Sequence, residues 1–548
     1  MSLAPHNSTA GCRAADRARP GAFFAGLREV WSIAWPTVLT MASYTVMQFI
    51  DKLMVGQVGA IELAAQTGGG IWSFAPIAFA LGLLTVVNTY VAQHLGAGSP
   101  QEGPKYAWAA IWVSLAYWLF IMLPWALILP FVFAHMEGHS PRLKELETGY
   151  AQILVLGSVV LLASRGLNHY FFGLHRPRIV TLAAITGNIV NVLGNYILIL
   201  GERGLGAVTL PGGATVTLPG IPGTPALGVY GAAIATVIGT CVELLIPLSV
   251  FLGRTMNNEF ATRRTWRVHL APIRDLFKIG WPGAVQFGNE LLCWAIFMTV
   301  LVGAFGPEHL AACAIAFGYM HLSFMPAVGF SVAVTSLVGK YIGAGQPDIA
   351  VVRARQGVSV AMLYMTACAI VFFVFRQPLV AAFVPAPDPS LPPEEFALAA
   401  ARAEQIIALG TKLMICAALF QTADAFGIVY SGALRGAGDT VWPGIITFIY
   451  SWAFIVLGGW AIKNQWPELE SIGPWIGASI FIVMYGITMW LRFRAGAWRS
   501  IQLIAPSDAA ERDAARIAPL GPAAPATSGD AVIRDMAEEL TAAGKDGS

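Results

Sequence analysis

Acidic side chains inside long apolar segments are the residues of this sequence best suited to chemistry. Glu290 lies in the middle of an apolar stretch with no lysine or arginine within ten residues on either side. Asp424 lies in another such stretch, with Gln421 on the same helical face. A charged side chain inside a bilayer costs about 2.5–3.5 kcal/mol on insertion scales, so each of these acids points to a function. A structural carboxylate that is hydrogen-bonded to a neighbouring helix is the alternative.

The chemistry expected of such an acid is cation exchange. A carboxylate in a low-dielectric cavity resists ionisation unless a cation is present. It therefore takes up a proton, binds Na⁺ or binds an organic cation, and these three compete for one charge. This competition is the minimum that an antiporter needs, because one cation leaves only when another replaces it.

Two further groups of polar residues lie in apolar segments. Asp51 is a third candidate acid, although it could instead lie at the outer membrane interface and pair with Lys52. Asn191 and Asn195 are spaced i, i+4 and Asn188 precedes them by three residues, so all three share one helical face. Their amide oxygens are suitable ligands for a hard monovalent cation beside a carboxylate. Hydrogen bonding between helices is the other use of such asparagines in a membrane.

The composition indicates that lipid surrounds most of the chain. Of its 548 residues 56% are hydrophobic and only 12% are charged, whereas a soluble domain carries about 25% charged residues. The net charge of +2 gives no reason to expect a nucleic-acid partner, and the six cysteines include no C-x-x-C pair for a disulfide framework or zinc. Apolar segments of the length that a bilayer requires lie at 28–55, 62–94, 105–133, 148–174, 177–201, 227–252, 275–304, 309–342, 352–383, 402–433, 441–463 and 473–494.

The two halves of the chain repeat one pattern. The pattern consists of five motifs in a fixed order: Trp-Pro, a glycine pair, Leu-Ala-Ala, a single glycine and Gly-Ala-Gly-x-Pro. In the first half they begin at Trp35, Gly56, Leu63, Gly82 and Gly96, and in the second half at Trp281, Gly303, Leu310, Gly329 and Gly343. Such self-similarity indicates a duplication. With six spans in each half, both halves have the same topology. The prediction is an all-α polytopic membrane protein of twelve transmembrane helices, in two six-helix lobes related by a pseudo-two-fold axis along the membrane normal.

The distribution of lysine and arginine predicts the orientation. The positive-inside rule places the basic segment between the halves, and with it both termini, in the cytoplasm. The expected organisation is a cytoplasmic N-terminal tail at 1–27 without a signal peptide, an N-lobe at 28–252, a basic cytoplasmic linker at 253–274, a C-lobe at 275–494 and a disordered cytoplasmic tail at 495–548. The Gly/Pro/Thr-rich segment 201–227 is either a small hairpin or an irregular loop.

Other residues give weaker indications. An apolar cavity for organic cations could be lined by Trp72, Phe74, Tyr90, Phe317, Tyr319 and Met325. The histidines lie mostly at predicted span ends, and His169 and His321, which lie within spans, have no partner nearby in the sequence. The arrangement of a nucleophile with its base is therefore not indicated, and we do not expect an enzyme.

The repeated pattern and the stretch Ser431 to Thr440, which contains Leu-Arg-Gly-Ala-Gly-Asp-Thr, resemble the multidrug and toxic compound extrusion (MATE) family over about residues 28–494. The resemblance implies an exporter that works by alternating access and is driven by an inward Na⁺ or H⁺ gradient. It implies a small-molecule organic substrate, a bacterial inner (plasma) membrane location, a monomer, and no cofactor beyond the coupling ion.

The resemblance also assigns roles to the candidate residues. Glu290 and Asp424 match the acidic pair of the NorM-like branch, which forms a cation site in the C-lobe. Asp51 matches the family's aspartate of the first span, and Asn191 with Asn195 matches the polar pair of the fifth span, which gives an N-lobe site. Asn195 stands where the DinF-like branch has an aspartate, which favours the NorM-like branch.

A lipid-linked oligosaccharide flippase of the same superfamily is the alternative function. We expect such a protein to line its cavity with several lysines or arginines for pyrophosphate, whereas only Lys52, Arg165 and Lys412 lie near span interiors here. The sequence does not identify the substrate, choose between Na⁺ and H⁺, or decide which lobe binds the coupling ion. It also assigns no role to the 201–227 loop or the C-terminal tail.

Overall fold

Twelve long helices form the part of the chain that the computed structural model describes, which is residues 20–209, 215–386, 389–390 and 392–504. In chain order they are α1 Pro20–Gly56, α2 Ala60–Gly96, α3 Pro100–Ala134, α4 Pro141–Gly173, α5 Pro177–Arg203, α6 Val229–Leu252, α7 Leu270–Phe305, α8 Pro307–Gly343, α9 Pro347–Val374, α10 Pro393–Gly436, α11 Val441–Gln465 and α12 Ile472–Ala495. A short helix, Arg254–Phe260, lies between α6 and α7.

The helices are long enough and apolar enough for a membrane protein. Among the described residues, α2 to α12 each contain a window apolar enough to cross a bilayer. Helix α1 has 37 residues but lies outside that group, because its sequence is more polar. The chain is therefore an integral membrane protein, and the predicted fold class is confirmed.

Several predicted boundaries were wrong. The first helix already includes Pro20, so it extends well before residue 28. The span predicted at 352–383 ends at Val374, and a separate helix, Arg376–Ala381, follows it. The span predicted at 402–433 begins at Pro393, where a proline at the first helical position and two glutamates in the first turn favour helix initiation.

Corrections also apply to the linker and the C-terminal tail. The predicted linker at 253–274 overlaps α7, which begins at Leu270. The predicted disordered tail begins too early, because Trp498 is fully buried and stacks on Phe493 with ring centroids 5.0 Å apart. The predicted tails at 1–19 and 505–548 lie outside the described residues.

A β-hairpin follows α5. Strand β1, Leu205–Thr209, pairs antiparallel with β2, Thr215–Leu218, so that Leu205 lies opposite Leu218. The hairpin alternative for this segment is thus confirmed. We call this end of the helix bundle the hairpin end, and the opposite end, with the short helix Arg254–Phe260, the linker end.

The two lobes contact each other through equivalent helices. Helix α1 packs on α8, and α2 packs on α7 and α8. Glycine permits the closest approaches: a Cβ atom at Gly82 would lie 2.2 Å from the carbonyl oxygen of Gly283, and one at Gly329 would lie 2.7 Å from Cα of Val38. Since Gly82 and Gly329 are equivalent in the repeat, the same contact is made twice.

Hydrogen bonds to backbone carbonyls join the lobes near the linker end. Asn88 Nδ2 donates to the carbonyl of Val332 at 3.1 Å, and Gln93 Nε2 donates to the carbonyl of Gly436 at 3.0 Å. A Cβ atom at Gly96 would lie 1.8 Å from the carbonyl oxygen of Lys340, so backbones touch there. We call these contacts the linker-end seal.

Two equivalent acids, one from each half, complete the seal. Glu29 of α1 accepts hydrogen bonds from Arg353 Nε at 2.7 Å and from the Tyr341 hydroxyl at 2.8 Å, and it ion-pairs with Lys340. Asp275 of α7 accepts from the Tyr106 hydroxyl at 3.2 Å. Each acid thus reaches from the first helix of its own half to the other lobe.

Candidate ion and substrate sites

Asp51 lies in a closed polar site within the N-lobe. Its side chain is 7% exposed, and Asn195 Nδ2 donates to its Oδ1. Asn195 Nδ2 also lies 3.2 Å from Asn191 Oδ1, and Asn191 Nδ2 lies 3.3 Å from Thr236 Oγ1 of α6. The side-chain oxygen of Asn195, Oδ1, is buried and has no hydrogen-bond partner among the described residues. An unpaired acceptor beside a carboxylate is suited to a proton-bearing group or a small cation.

Close packing of α5 on α6 positions this site. A Cβ atom at Gly187 would lie 2.8 Å from the carbonyl oxygen of Gly239, and one at Gly239 would lie 2.8 Å from Cβ of Asn191. Small residues let two helix backbones approach within a membrane, so that a short asparagine can reach the neighbouring helix. The i, i+4 spacing then places Asn195 on the same face.

The geometry decides two alternatives for this region: whether Asp51 pairs with Lys52, and whether the asparagines contact the acid or another helix. Lys52 is exposed while Asp51 is buried, and the described ion pairs do not join them. Asn188 donates to Ser43 Oγ at 3.0 Å and so belongs to the contact between α5 and α1, away from Asp51. The asparagine stripe therefore divides into a pair at the acid and one interhelical contact.

The C-lobe acids lie in a more open site. Glu290 of α7 and Asp424 of α10 are both half-buried, and their charges are close enough to interact. Gln286 Nε2 donates to Glu290 Oε1 at 3.3 Å and lies 3.5 Å from the Tyr485 hydroxyl of α12. Three helices thus meet at this acidic pair, which is accessible from the surface.

Gln421 does not belong to the acidic pair. Its side chain is 1% exposed, donates to Ser323 Oγ and lies 3.5 Å from Met365 Sδ. The predicted polar cluster of Gln421 with Asp424 is therefore wrong, because Gln421 faces α8 and α9 in the interior of the lobe.

A charged cluster in the N-lobe was missed in the sequence. Glu243 of α6 is 4% exposed and accepts hydrogen bonds from the Tyr44 hydroxyl and from Asn168 Nδ2. Arg165 of α4 lies 3.2 Å from Glu243 and 4.1 Å above the Tyr44 ring. The reasoning that singled out Glu290, an acid within an apolar helix, applies equally to Glu243. Its basic partner was not foreseeable, because α4 and α6 are distant in sequence.

The structure shows what four residues of the Leu-Arg-Gly-Ala-Gly-Asp-Thr stretch do. A Cβ atom at Gly436 would lie 2.4 Å from the carbonyl oxygen of Thr335 in α8. Gly438 has φ 88°, which favours glycine. Asp439 ion-pairs with Arg492 at 2.8 Å, and the Arg435 side chain lies within reach of the charge of Glu290.

Most of the aromatic residues predicted for a cavity are packing residues. Trp72 stacks on Trp125, and Tyr90 is 2% exposed and stacks on Tyr106. Phe317 packs edge-on against Trp294 and Trp475 within the C-lobe, and the Tyr319 hydroxyl donates to the carbonyl of Leu379. Phe74 is exposed, and Trp72, Phe317, Tyr319 and Met325 are half-buried.

Two duplicated six-helix lobes, each with acids inside its long apolar helices and both sealed together at one end, define a two-lobed membrane transporter. The family model described as MatE matches residues 36–197 and 290–459, one segment in each half. The chain therefore belongs to the MatE family, which confirms the resemblance seen in the sequence.

Similar proteins agree with this assignment. The chain is 28% identical over 477 residues to "Multidrug resistance protein MdtK" of Edwardsiella ictaluri (strain 93-146), which covers 85% of this chain and 95% of that protein. It is also 28% identical over 481 residues to the protein of the same name from Yersinia pseudotuberculosis serotype O:1b, with the same shares covered.

Solved structures show the same fold. A crystal structure of MATE in complex with MaL6 has a TM-score of 0.73 at 20% identity and covers 87% of this chain and 98% of its own. The outward-facing conformation of a multidrug resistance MATE family transporter has a TM-score of 0.70 at 19% identity, with 87% and 97% covered.

Proposed function

We propose that this protein is a secondary active antiporter that exports organic, often cationic, molecules by alternating access in exchange for Na⁺ or H⁺. The observation that carries the proposal is the closed N-lobe site, in which Asp51 lies beside the unpaired buried oxygen of Asn195. The relatives named multidrug resistance proteins support a small-molecule drug as the exported substrate.

The two acidic sites suit different cations. The oxygens of Asp51, Asn191 and Asn195 are close together and shielded, which fits a dehydrated Na⁺ or a proton. Glu290 and Asp424 are half-buried, so a bulky organic cation is able to reach them. We assign the coupling ion to the N-lobe site and the cationic group of the substrate to the C-lobe pair.

Orientation follows from charge. The segment between α6 and α7 carries Arg254, Arg263, Arg264 and Arg267. By the positive-inside rule, this segment lies on the cytoplasmic side of a bacterial inner membrane. The linker-end seal then closes the cytoplasmic side. We propose that this arrangement corresponds to an outward-facing state, in which substrate would leave and the coupling ion would enter.

Transport of a cationic dye in proteoliposomes tests the proposal. Ethidium uptake or release is followed by fluorescence while a Na⁺ gradient or a pH gradient is imposed separately. We expect one gradient to drive ethidium movement in the wild-type protein and to fail in Asp51→Asn. Equal ethidium flux with neither gradient, or an undiminished gradient response in Asp51→Asn, would contradict the proposal.

A further inference from the structure

Three basic side chains remain outside the proposed cation sites. Arg165 and His169 lie at i, i+4 on α4 of the N-lobe, and Arg435 lies on α10 of the C-lobe. The charges of both arginines lie within electrostatic range of His169, although Arg435 comes from the other lobe. Each of them is half-buried. We call them the basic cluster.

The basic cluster lies directly on the hairpin side of the seal. The carbonyl of Phe172, one turn beyond His169, accepts a hydrogen bond from Ser336 of α8 at 2.7 Å. The carbonyl of Arg435 accepts from Thr89 of α2 at 3.0 Å. Helical side chains lean toward the helix N-terminus, which for α4 and α10 is the hairpin end. The cluster therefore lies between the lobes, next to the seal and on its hairpin side.

Arg165 is held in position by its neighbours. Glu243 Oε1 lies 3.2 Å from Arg165 Nη1, and Tyr44 and Asn168 donate to the same carboxylate oxygen. A guanidinium carries five N–H groups, and this ion pair uses one edge of it. Because the Arg165 side chain is 22% exposed, the other edge is able to bind a ligand between the lobes.

His169 supplies a second, independent indication of a ligand. Its Nδ1 atom is buried and has no hydrogen-bond partner among the described residues. A buried polar nitrogen without a partner is costly, and a ligand oxygen would satisfy it. Its position between two arginines makes an anionic oxygen the suitable partner.

We propose that Arg165, His169 and Arg435 bind the carboxylate of zwitterionic substrates. The inference rests on the proposed export function and names a substrate class for it. Glu290 lies within reach of the charge of Arg435, so a substrate amine at Glu290 and its carboxylate at the basic cluster would lie side by side. Arginine recognises the planar carboxylate through paired hydrogen bonds.

The charge balance favours a monoanionic group. Glu243 pairs with Arg165, and the charge of Glu290 acts on Arg435, so the two carboxylates offset part of the positive charge. A pyrophosphate would bring two or more negative charges next to these carboxylates, where like charges repel. A single carboxylate is the better match.

A matched pair of dyes tests the proposal. Rhodamine 110 carries a free carboxylate, and rhodamine 123 is its methyl ester, so the two share one cationic ring system. We expect the wild-type protein in proteoliposomes to transport rhodamine 110 with the lower KM. Benzoate is expected to compete with rhodamine 110 and to leave rhodamine 123 transport unchanged.

Substitutions then locate the effect. Arg165→Gln is expected to raise the KM for rhodamine 110 about tenfold and to change that for rhodamine 123 less than twofold. Because Arg165→Gln leaves Glu243 without its cation and could prevent folding, His169→Gln, which breaks none of the described hydrogen bonds, serves as the second variant. Lys412→Gln, an exposed basic residue on α10, is the control and is expected to change neither KM.

The outcomes separate this inference from the proposed function. If the wild-type protein does not transport rhodamine 123, the proposed export of organic cations is contradicted. Rhodamine 123 transport without preference for rhodamine 110, or equal effects of His169→Gln on both dyes, would overturn the carboxylate site alone. Competition by farnesyl pyrophosphate but not by benzoate would also overturn it, in favour of a phosphate ligand.

Discussion

The two lobes descend from one repeated unit, but their acidic side chains differ in burial and in hydrogen bonding. In the N-lobe, Asp51 is buried and receives a hydrogen bond from Asn195. In the C-lobe, Glu290 and Asp424 are half-buried and repel each other, with Gln286 as the one described hydrogen-bond donor to Glu290. A closed site selects a small ion, whereas an open one accepts a bulky cation. Under the proposed assignment, one lobe binds the driving ion and the other binds the cargo.

The largest effect is expected at the closed site. Asp51→Asn and Asn195→Ala should abolish gradient-driven ethidium transport, because each removes an oxygen or its positioning partner from the coupling site. Ethidium binding, measured by fluorescence polarisation, should stay within twofold of wild type. Asn188→Ala, on the same helical face but bonded to Ser43, is the control and should transport normally. A strong loss of ethidium binding in Asp51→Asn would contradict separate sites for the coupling ion and the substrate.

The open site should show the reverse pattern. Glu290→Gln and Asp424→Asn each remove one of two charges that attract the cation, so ethidium affinity should fall about tenfold or more. Glu468→Gln, at an exposed acid between α11 and α12, is the control for charge alone. Wild-type affinity and efflux rate in both C-lobe variants would show that these acids do not bind the substrate.

A smaller effect should follow from disturbing the contact between the lobes. Gly96→Ala places a Cβ atom 1.8 Å from the carbonyl oxygen of Lys340, so the seal would have to open slightly. Modification of Ser336→Cys, a buried position in the seal, by a maleimide should then become several-fold faster. Gly70→Ala on the same helix meets nothing within 4 Å and should leave the rate unchanged. Equal rates in all three proteins would contradict the assigned position of the seal.

The smallest effect concerns stability within the C-lobe. Asp439→Asn weakens the ion pair with Arg492, in which Asp439 is 4% exposed, and should lower the free energy of unfolding by about 2 kcal/mol. The exposed pair of Asp348 and Arg499, at 3.2 Å, should contribute less than about 1 kcal/mol when tested by Asp348→Asn. Thermal melting in detergent compares the two. An equal shift in melting temperature would show that burial does not distinguish these pairs.

The sequence predicted the fold because duplication and hydropathy are properties of the chain itself. The repeat of Gly82 at Gly329 correctly indicated equivalent helices, and both glycines lie at contacts between the lobes. Helix ends were less predictable: α9 stops at Val374, and Arg376, Gln377 and Pro378 separate it from the apolar residues that continue to Phe383. Hydropathy is averaged over many residues, so it does not detect the end of a helix inside a largely apolar segment.

The surroundings of the candidate site residues were less accessible to sequence reasoning. Helical spacing correctly places Gln421 and Asp424 near one another along α10, but it does not show which neighbouring helix each side chain meets. Gln421 reaches Ser323, while the charge of Asp424 acts on Glu290. The pair of Arg165 with Glu243 is a long-range contact of the same kind, which only the packed helices reveal.

The linker-end seal has a consequence for how easily the transporter turns over. Several of its hydrogen bonds, such as those from Asn88 and Gln93, end on main-chain carbonyls of the opposite lobe. Water is able to replace such neutral partners at a net cost of only about 1 kcal/mol each, so wetting the junction would release it stepwise. A junction of this kind is tight enough to stop leakage and still weak enough to be reversed in every cycle.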